Sequence, residues 1–130
     1  MPPDPHVRET PPTAEAVRHL RWWIEEICAA TGGTKLQCAD IALAVSEALT
    51  NVVMHAYVGR SSGPMRIRAE QDGGRLLIEV EDDGIGLRPR PDSPGAGLGL
   101  ALIGSLAADL VLKSGPAGHG TLVQMAFAIG

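Results

Sequence analysis

Apolar side chains recur every three or four residues in three parts of the chain, and this spacing predicts three helices. The first helix covers residues 14–30, and Thr13 is placed to cap it. The second begins at a capping-box pattern formed by Thr34 and Gln37 and continues through a strongly apolar segment. The third is predicted over residues 98–108, directly after a glycine-rich stretch.

Short runs rich in branched aliphatic residues predict four strands. Residues 65–69 and 75–81 are separated by a turn at 72–74, so they predict a hairpin. Residues 109–113 and 120–129 predict a second pair of strands. Two helices, a hairpin, a helix and another hairpin predict an α+β fold. We expect a two-layer α/β sandwich, with the helices packed on one face of a mixed, mostly antiparallel sheet.

The length of 130 residues predicts one domain with its own core. Five of the ten prolines fall within residues 1–12, which excludes a helix there. We therefore predict a proline-rich N-terminal tail, or a short edge strand around residues 6–10, followed by a single domain over residues 13–130.

Composition narrows the class of protein. A net charge of −4 argues against broad nucleic-acid binding, which needs a field of basic residues. The chain has no apolar run near the roughly 20 residues of a membrane span, and residues 1–13 lack the apolar core of a secretory signal. Cys28 and Cys38 have no metal-site spacing, and we interpret them as reduced, buried thiols rather than a disulfide. These features predict a cytoplasmic protein that contacts neither nucleic acid nor a membrane.

The apolar helix over residues 43–57 carries Glu47, Asn51 and His55 at four-residue steps. Residues four apart lie on nearly the same side of an α-helix, so these polar groups form one stripe. Buried polar groups need partners, and a structural hydrogen-bond network would be a sufficient explanation. Whether the stripe also has a chemical role depends on what the rest of the chain places against it.

Three glycine motifs fall where strands or loops meet helices or turns. Asp82-Asp-Gly-Ile-Gly86 follows a predicted strand and is either a simple turn or a site where a carboxylate accepts a hydrogen bond from a flat ring. Gly95-Ala-Gly97-Leu-Gly99 opens a predicted helix, where free backbone amides can bind phosphate. Gly118-His-Gly120-Thr121 precedes the last strand and alone indicates a hairpin turn.

Taken in order, these motifs resemble those of the GHKL ATP-binding family, which includes gyrases, heat-shock chaperones, mismatch-repair proteins and histidine kinases. The resemblance spans about residues 34–128 and implies the Bergerat ATP-binding fold. The segment Ser46-Glu-Ala-Leu-Thr-Asn-Val-Val-Met-His-Ala-Tyr57 further resembles the bacterial anti-sigma-factor serine kinases.

The resemblance assigns roles to individual residues. It implies that Asn51 binds Mg²⁺, that Glu47 is the catalytic base and that Asp82 receives the adenine amine of ATP. Arg18 matches an arginine that contacts a protein partner or the terminal phosphate, although an ordinary surface arginine is equally consistent. We interpret His55 as structural. The residues that the resemblance implies for nucleotide binding are Asn51, Asp82, Gly84, Gly86, Gly95, Gly97, Leu98, Gly99 and Thr121.

The function implied is that of a serine/threonine-protein kinase of the anti-sigma type. Such a protein, expected to be a homodimer, binds a sigma factor in one state and phosphorylates an antagonist protein on serine in another. The segment between Gly86 and Gly95, the expected lid, is short and rich in proline. It therefore leaves open a nucleotide-dependent binding module or slow ATPase without phosphoryl transfer. A histidine-kinase-like catalytic domain is a further alternative.

Overall fold

Helices cover one face of a five-stranded sheet in the computed structural model, which describes residues 5–86, 99–115 and 118–130. The elements follow the chain as β1 (His6–Thr10), α1 (Ala14–Ala30), α2 (Lys35–Asn51), a π-helical turn (Val52–Ala56), β2 (Met65–Asp72), β3 (Arg75–Asp82), α3 (Leu100–Leu106), β4 (Asp109–Ser114) and β5 (Thr121–Ala128). The predicted α+β class is confirmed.

The strands lie in the order β1-β2-β3-β5-β4, and every neighbouring pair is antiparallel. The predicted mixed character is therefore not seen in the described strands. The segment 6–10 forms an edge strand, the second of the two possibilities that its sequence allowed. Because β5 inserts between β3 and β4, Asp82 at the end of β3 lies opposite Thr121 at the start of β5.

Both long helices start where their capping residues predict. The Thr13 hydroxyl accepts a hydrogen bond from the Ala16 amide at 3.1 Å. The Thr34 hydroxyl accepts one from the Gln37 amide at 3.1 Å, and the Gln37 side chain accepts one from the Thr34 amide at 2.9 Å. This reciprocal pair is a capping box, and it satisfies amides that the first turn of a helix leaves free.

The core lies between the helices and one sheet face and is almost wholly aliphatic. Strand β2 alternates strictly, with Met65, Ile67 and Ala69 buried against the helices. The most enclosed part of α2 presents small and branched residues, so the helix approaches the sheet closely. The fully buried large side chains include Ile24, Ile41, Val45, Leu49, Met65, Ile67, Leu76, Ile78, Val80 and Ile103.

Lys35–Ala56 is the one segment among the described residues long and apolar enough to cross a membrane by length and composition. A core helix of a globular fold passes the same test, and α2 packs its apolar residues against the sheet and α1.

Helix ends differ most from prediction. The second helix is α-helical to Asn51 and then widens into the π-helical turn, a local form often found at functional sites. Helix α3 begins later than predicted because Gly99, in the left-handed region at φ 71°, caps its start, and it also ends earlier than predicted, at Leu106.

The two cysteines are free and buried, as predicted. Burial, together with the neighbouring Cys38 thiol, raises the pKa of Cys28 to about 12. The Cys28 thiol is therefore protonated at neutral pH.

Candidate functional site

The last two turns of the second helix cover the point where β3 ends and β5 begins. A cavity at this point is lined by Asn51 from α2, Asp82 from β3, Gly86 from the following loop and Thr121 from β5. Its walls are completed by apolar side chains and His55: the other lining residues are Ala48, Val52, His55, Ala56, Val80 and Val123. The fold thus brings together residues from three motifs that are far apart in sequence.

Asp82 and Thr121 are the two polar residues that the described structure buries, at 4% and 5% exposure. The Asp82 carboxylate accepts a hydrogen bond from the Gly84 amide at 2.8 Å. Burial raises the pKa of Asp82, and backbone hydrogen bonds from Gly84 and Thr121 partly oppose this. A buried carboxylate facing a cavity is suited to accept a hydrogen bond from a ligand amine.

Glycine is required in the loop after β3 because that loop touches the end of the second helix. A Cβ on Gly84 would collide with the backbone oxygen of Ala56, and the neighbouring Ile85 amide donates a hydrogen bond to that same oxygen at 2.8 Å. Gly86 has a φ of 84° and would place a Cβ 3.3 Å from the Gly120 oxygen. Gly84 therefore stands where a side chain has no room, and Gly86 stands where the backbone conformation favours glycine.

Glu47 lies one turn before Asn51 and points toward the start of α3. A Cβ on Gly99 would meet the Glu47 carboxylate, so this side chain lies directly against Gly99. The predicted base and one glycine of the predicted phosphate-binding motif are therefore neighbours. Gly95, Gly97 and Leu98 of that motif, and the expected lid, lie outside the described residues.

The cavity holds about 20 Å³, room for roughly one water molecule. A second cavity of about 400 Å³ shares Gly86 and Thr121 with it and includes Lys113 and His119 in its lining. A purine base needs more space than the smaller cavity gives.

The residues present fit a nucleotide with its metal ion. Asp82 offers an acceptor for an amine, Val80 and Val123 offer an apolar wall, and Asn51 offers an amide oxygen of the kind Mg²⁺ accepts. Among the described residues, no group of three His, Cys, Asp or Glu side chains could hold a metal.

Three residues near the cavity were missed by the sequence reasoning. The Tyr57 hydroxyl donates a hydrogen bond to the Pro64 oxygen at 2.5 Å and accepts one from the Asp83 amide at 3.0 Å. Arg66 binds both carboxylate oxygens of Asp83, at 3.0 and 2.5 Å, and lowers the pKa of that carboxyl. The only available signal was strand register, which places Arg66 beside the end of β3.

Two further residues that the sequence singled out lie on the helices. Arg18 lies on the exposed side of α1, on the face turned away from the core. His55, which we interpreted as structural, is half-buried and lines the same cavity as Asn51.

The sequence of the chain also matches a known protein family. The model of the family described as "Histidine kinase-like ATPase domain" matches residues 10–127. The chain therefore belongs to the histidine kinase-like ATPase family.

Its relatives identify a branch within that family. The chain is 35% identical over 105 residues to the anti-sigma F factor of Thermoanaerobacter sp. (strain X514), with 72% of each chain covered. It is 33% identical over 92 residues to the anti-sigma F factor of Clostridium novyi (strain NT), covering 62% of this chain and 64% of that protein. The resemblance to the anti-sigma-factor branch is confirmed.

Solved structures agree with the fold. The RsbU and RsbW domains of Rv1364c from Mycobacterium tuberculosis align over 98% of this chain and 33% of that one, with a TM-score of 0.76 and 27% identity. The histidine kinase domain of the Erythrobacter litoralis EL346 blue-light-activated kinase aligns over 72% of this chain and 45% of that one, with a TM-score of 0.59 and 34% identity.

Proposed function

We propose that this protein is an ATP-dependent serine kinase of the anti-sigma type. The observation that carries the proposal is the shared cavity of Asn51, Asp82 and Thr121, with Glu47 one helical turn away against Gly99. The similarity to anti-sigma F factors supports the same class of function. A plain structural role for Asp82 is less consistent with these contacts, because its buried carboxylate borders a cavity.

Each residue has a defined part in nucleotide binding. Asp82 accepts a hydrogen bond from the adenine amine, and the Thr121 hydroxyl contacts the same ring edge. Gly84 and Gly86 keep the loop close without side chains. The amides of Gly95, Gly97, Leu98 and Gly99 bind phosphate oxygens. Asn51 would hold Mg²⁺, which would supply positive charge against the phosphates.

Glu47 acts on the phosphate acceptor. Its carboxylate takes the proton from a serine hydroxyl of the protein substrate as the serine oxygen bonds to the γ-phosphorus. The bond between that phosphorus and the β–γ bridging oxygen breaks, and ADP leaves with the electron pair. Glu47 is half-buried, and its carboxylate lies against Gly99.

The regulatory partners are a sigma factor and its antagonist, the anti-anti-sigma protein. Phosphorylation adds close to two negative charges to the antagonist and so weakens its contact with the kinase. Arg18, exposed on α1, is positioned to contact either partner. We propose that the protein acts in the cytoplasm as a homodimer and contacts neither DNA nor a membrane directly.

The test is phosphoryl transfer to a purified anti-anti-sigma protein, using ATP labelled on the γ-phosphate. We expect label on serine with the wild type and a loss of at least about a hundredfold with Glu47→Gln, the range for a removed general base. Asp109→Asn, at an exposed position on β4, is the matched control and should transfer normally. Nucleotide binding without transfer or hydrolysis would replace the kinase with a nucleotide-dependent binding module.

A further inference from the structure

The loop that follows Asp82 is attached to the end of the second helix at two points. The Ile85 amide donates to the Ala56 oxygen at 2.8 Å, and the Asp83 amide donates to the Tyr57 hydroxyl at 3.0 Å. Ala56 and Tyr57 end the π-helical turn that directly follows Asn51. The adenine side and the metal side of the proposed site are therefore joined by two hydrogen bonds.

The Tyr57 ring has a fixed place. Its hydroxyl also donates to the Pro64 oxygen at 2.5 Å, just before β2 begins. A Cβ on Gly63 would lie 2.8–2.9 Å from the ring, so the chain at Gly63 packs closely against it. A hydroxyl that donates to one loop and accepts from another holds the two loops at one separation.

Arg66 holds the same loop from the outer side of the sheet. Its guanidinium makes a two-bond contact with the Asp83 carboxylate and a further bond to Glu81 at 2.5 Å. The Arg66 side chain is 28% exposed, so solvent screens this contact only in part. Paired bonds of this kind fix the orientation of a carboxylate as well as its position.

We propose that Tyr57 and Arg66 are positioning residues for adenine recognition. Tyr57 holds the Asp83 backbone, Arg66 holds the Asp83 side chain, and together they direct the preceding Asp82 carboxylate into the cavity. This inference rests on the proposed function, because it assumes that Asp82 receives the adenine amine.

The measured quantity is the preference for ATP over ITP. ITP has a carbonyl in place of the amine from which the Asp82 carboxylate would accept a hydrogen bond. Isothermal titration with each Mg²⁺–nucleotide gives two affinities and their ratio. We expect Tyr57→Phe and Arg66→Gln each to reduce the preference for ATP by roughly threefold to tenfold, the range for one lost hydrogen bond. A merely structural loss would weaken both nucleotides equally and leave the ratio unchanged.

Arg68→Gln is the matched control, because Arg68 lies on the same strand and face but pairs with Glu70 and Glu79 instead. It should keep the wild-type ratio. In an Asp82→Asn background, Tyr57→Phe should cause no further loss of preference, because the residue acts through Asp82.

The outcomes separate the two proposals. A wild type that binds no nucleotide contradicts the proposed function itself. A wild type that prefers ATP, with the ratio unchanged in Tyr57→Phe and Arg66→Gln, overturns the positioning role alone. If Tyr57→Phe does not fold, as judged by its thermal melt, Arg66→Gln decides the question by the same ratio.

Discussion

Replacing Gly84 by alanine tests the close contact between the nucleotide loop and the second helix. The added Cβ collides with the Ala56 backbone oxygen and lies 2.8 Å from the Ala56 Cβ. Gly84 is not among the glycines with positive φ, so alanine is acceptable to the backbone and the effect is purely steric. Neither Ala56 atom can turn away, because the oxygen belongs to the main chain and the methyl carbon is bonded directly to the main-chain Cα.

The cost follows from three contributions. Forcing a methyl group into a packed site costs about 1–3 kcal/mol. Separating the loop from the helix also weakens the hydrogen bond from the Ile85 amide to the Ala56 oxygen, for about 1 kcal/mol. Alanine also restricts the unfolded chain more than glycine does, which stabilises the folded state by about 0.4–1 kcal/mol. The free energy of unfolding should therefore fall by about 1–3.5 kcal/mol.

Urea denaturation followed by circular dichroism measures this change. With a slope of about 1–3 kcal/mol per molar urea, the midpoint should fall by roughly 1 M. Gly74→Ala is the matched control, because its Cβ would have no neighbour nearer than the Ile129 oxygen at 4.0 Å. Equal midpoints for Gly84→Ala and Gly74→Ala would refute the close contact.

Three further predictions concern charge and capping. Burial raises the pKa of Asp82 above its ordinary value of about 3.8. The stability that comes from keeping this carboxyl protonated is therefore fully present below about pH 3.8, and it is lost as the pH rises through the pKa of the folded state. Asp82→Asn should therefore gain stability relative to wild type as urea melts are moved from pH 3.5 to pH 7. Arg66 lowers the pKa of Asp83 below its ordinary value of about 3.8. The stability that the charged Asp83 carboxylate contributes is therefore present above about pH 3.8, and it is lost as the pH falls through the pKa of the folded state. Arg66→Gln should thus be destabilised at pH 7, and the deficit in urea melts should shrink in acid. Thr34→Ala removes one half of the capping box and should lower the free energy of unfolding by about 1 kcal/mol in the same assay.

Controls for these predictions come from the same chain. Asp109→Asn, at an exposed carboxylate, is the surface control for Asp82→Asn. Thr50→Ala, at an exposed position in α2, should change stability by less than about 0.5 kcal/mol. A difference between Asp82→Asn and wild type that is constant with pH would mean that burial does not disfavour the Asp82 charge.

Short sequence patterns correctly predicted where the two long helices begin. Thr13 and Thr34 each bind an amide three residues ahead, so the information for a helix start lies within one turn of sequence. The strands β2 and β3 were also predicted from alternation and from the turn that joins them, although each extends somewhat beyond its predicted range.

The site was predicted through its motifs, but its contacts were not. Asp82 and Thr121 become neighbours only through the register of β3 with β5, and no spacing rule gives that register. Arg66 was missed for a different reason: the hairpin of β2 and β3 was predicted, but the pairing alone does not say that the Arg66 side chain reaches Asp83, 17 residues away.

The π-helical turn was not predictable from periodicity. Residues 52–56 continue the apolar pattern of α2, and the wider turn occurs where the helix end contacts the loop of Gly84. Such a change in helix form depends on tertiary contacts, which a sequence pattern does not contain.

Isothermal titration of the protein with Mg²⁺–ATP tests the central claim most directly, because it asks whether the cavity of Asn51, Asp82 and Thr121 is a nucleotide site. We predict saturable binding by the wild type and by the Arg68→Gln control, and a loss of at least about tenfold in affinity with Asp82→Asn. No binding by the wild type, or unaltered binding by Asp82→Asn, would contradict the account.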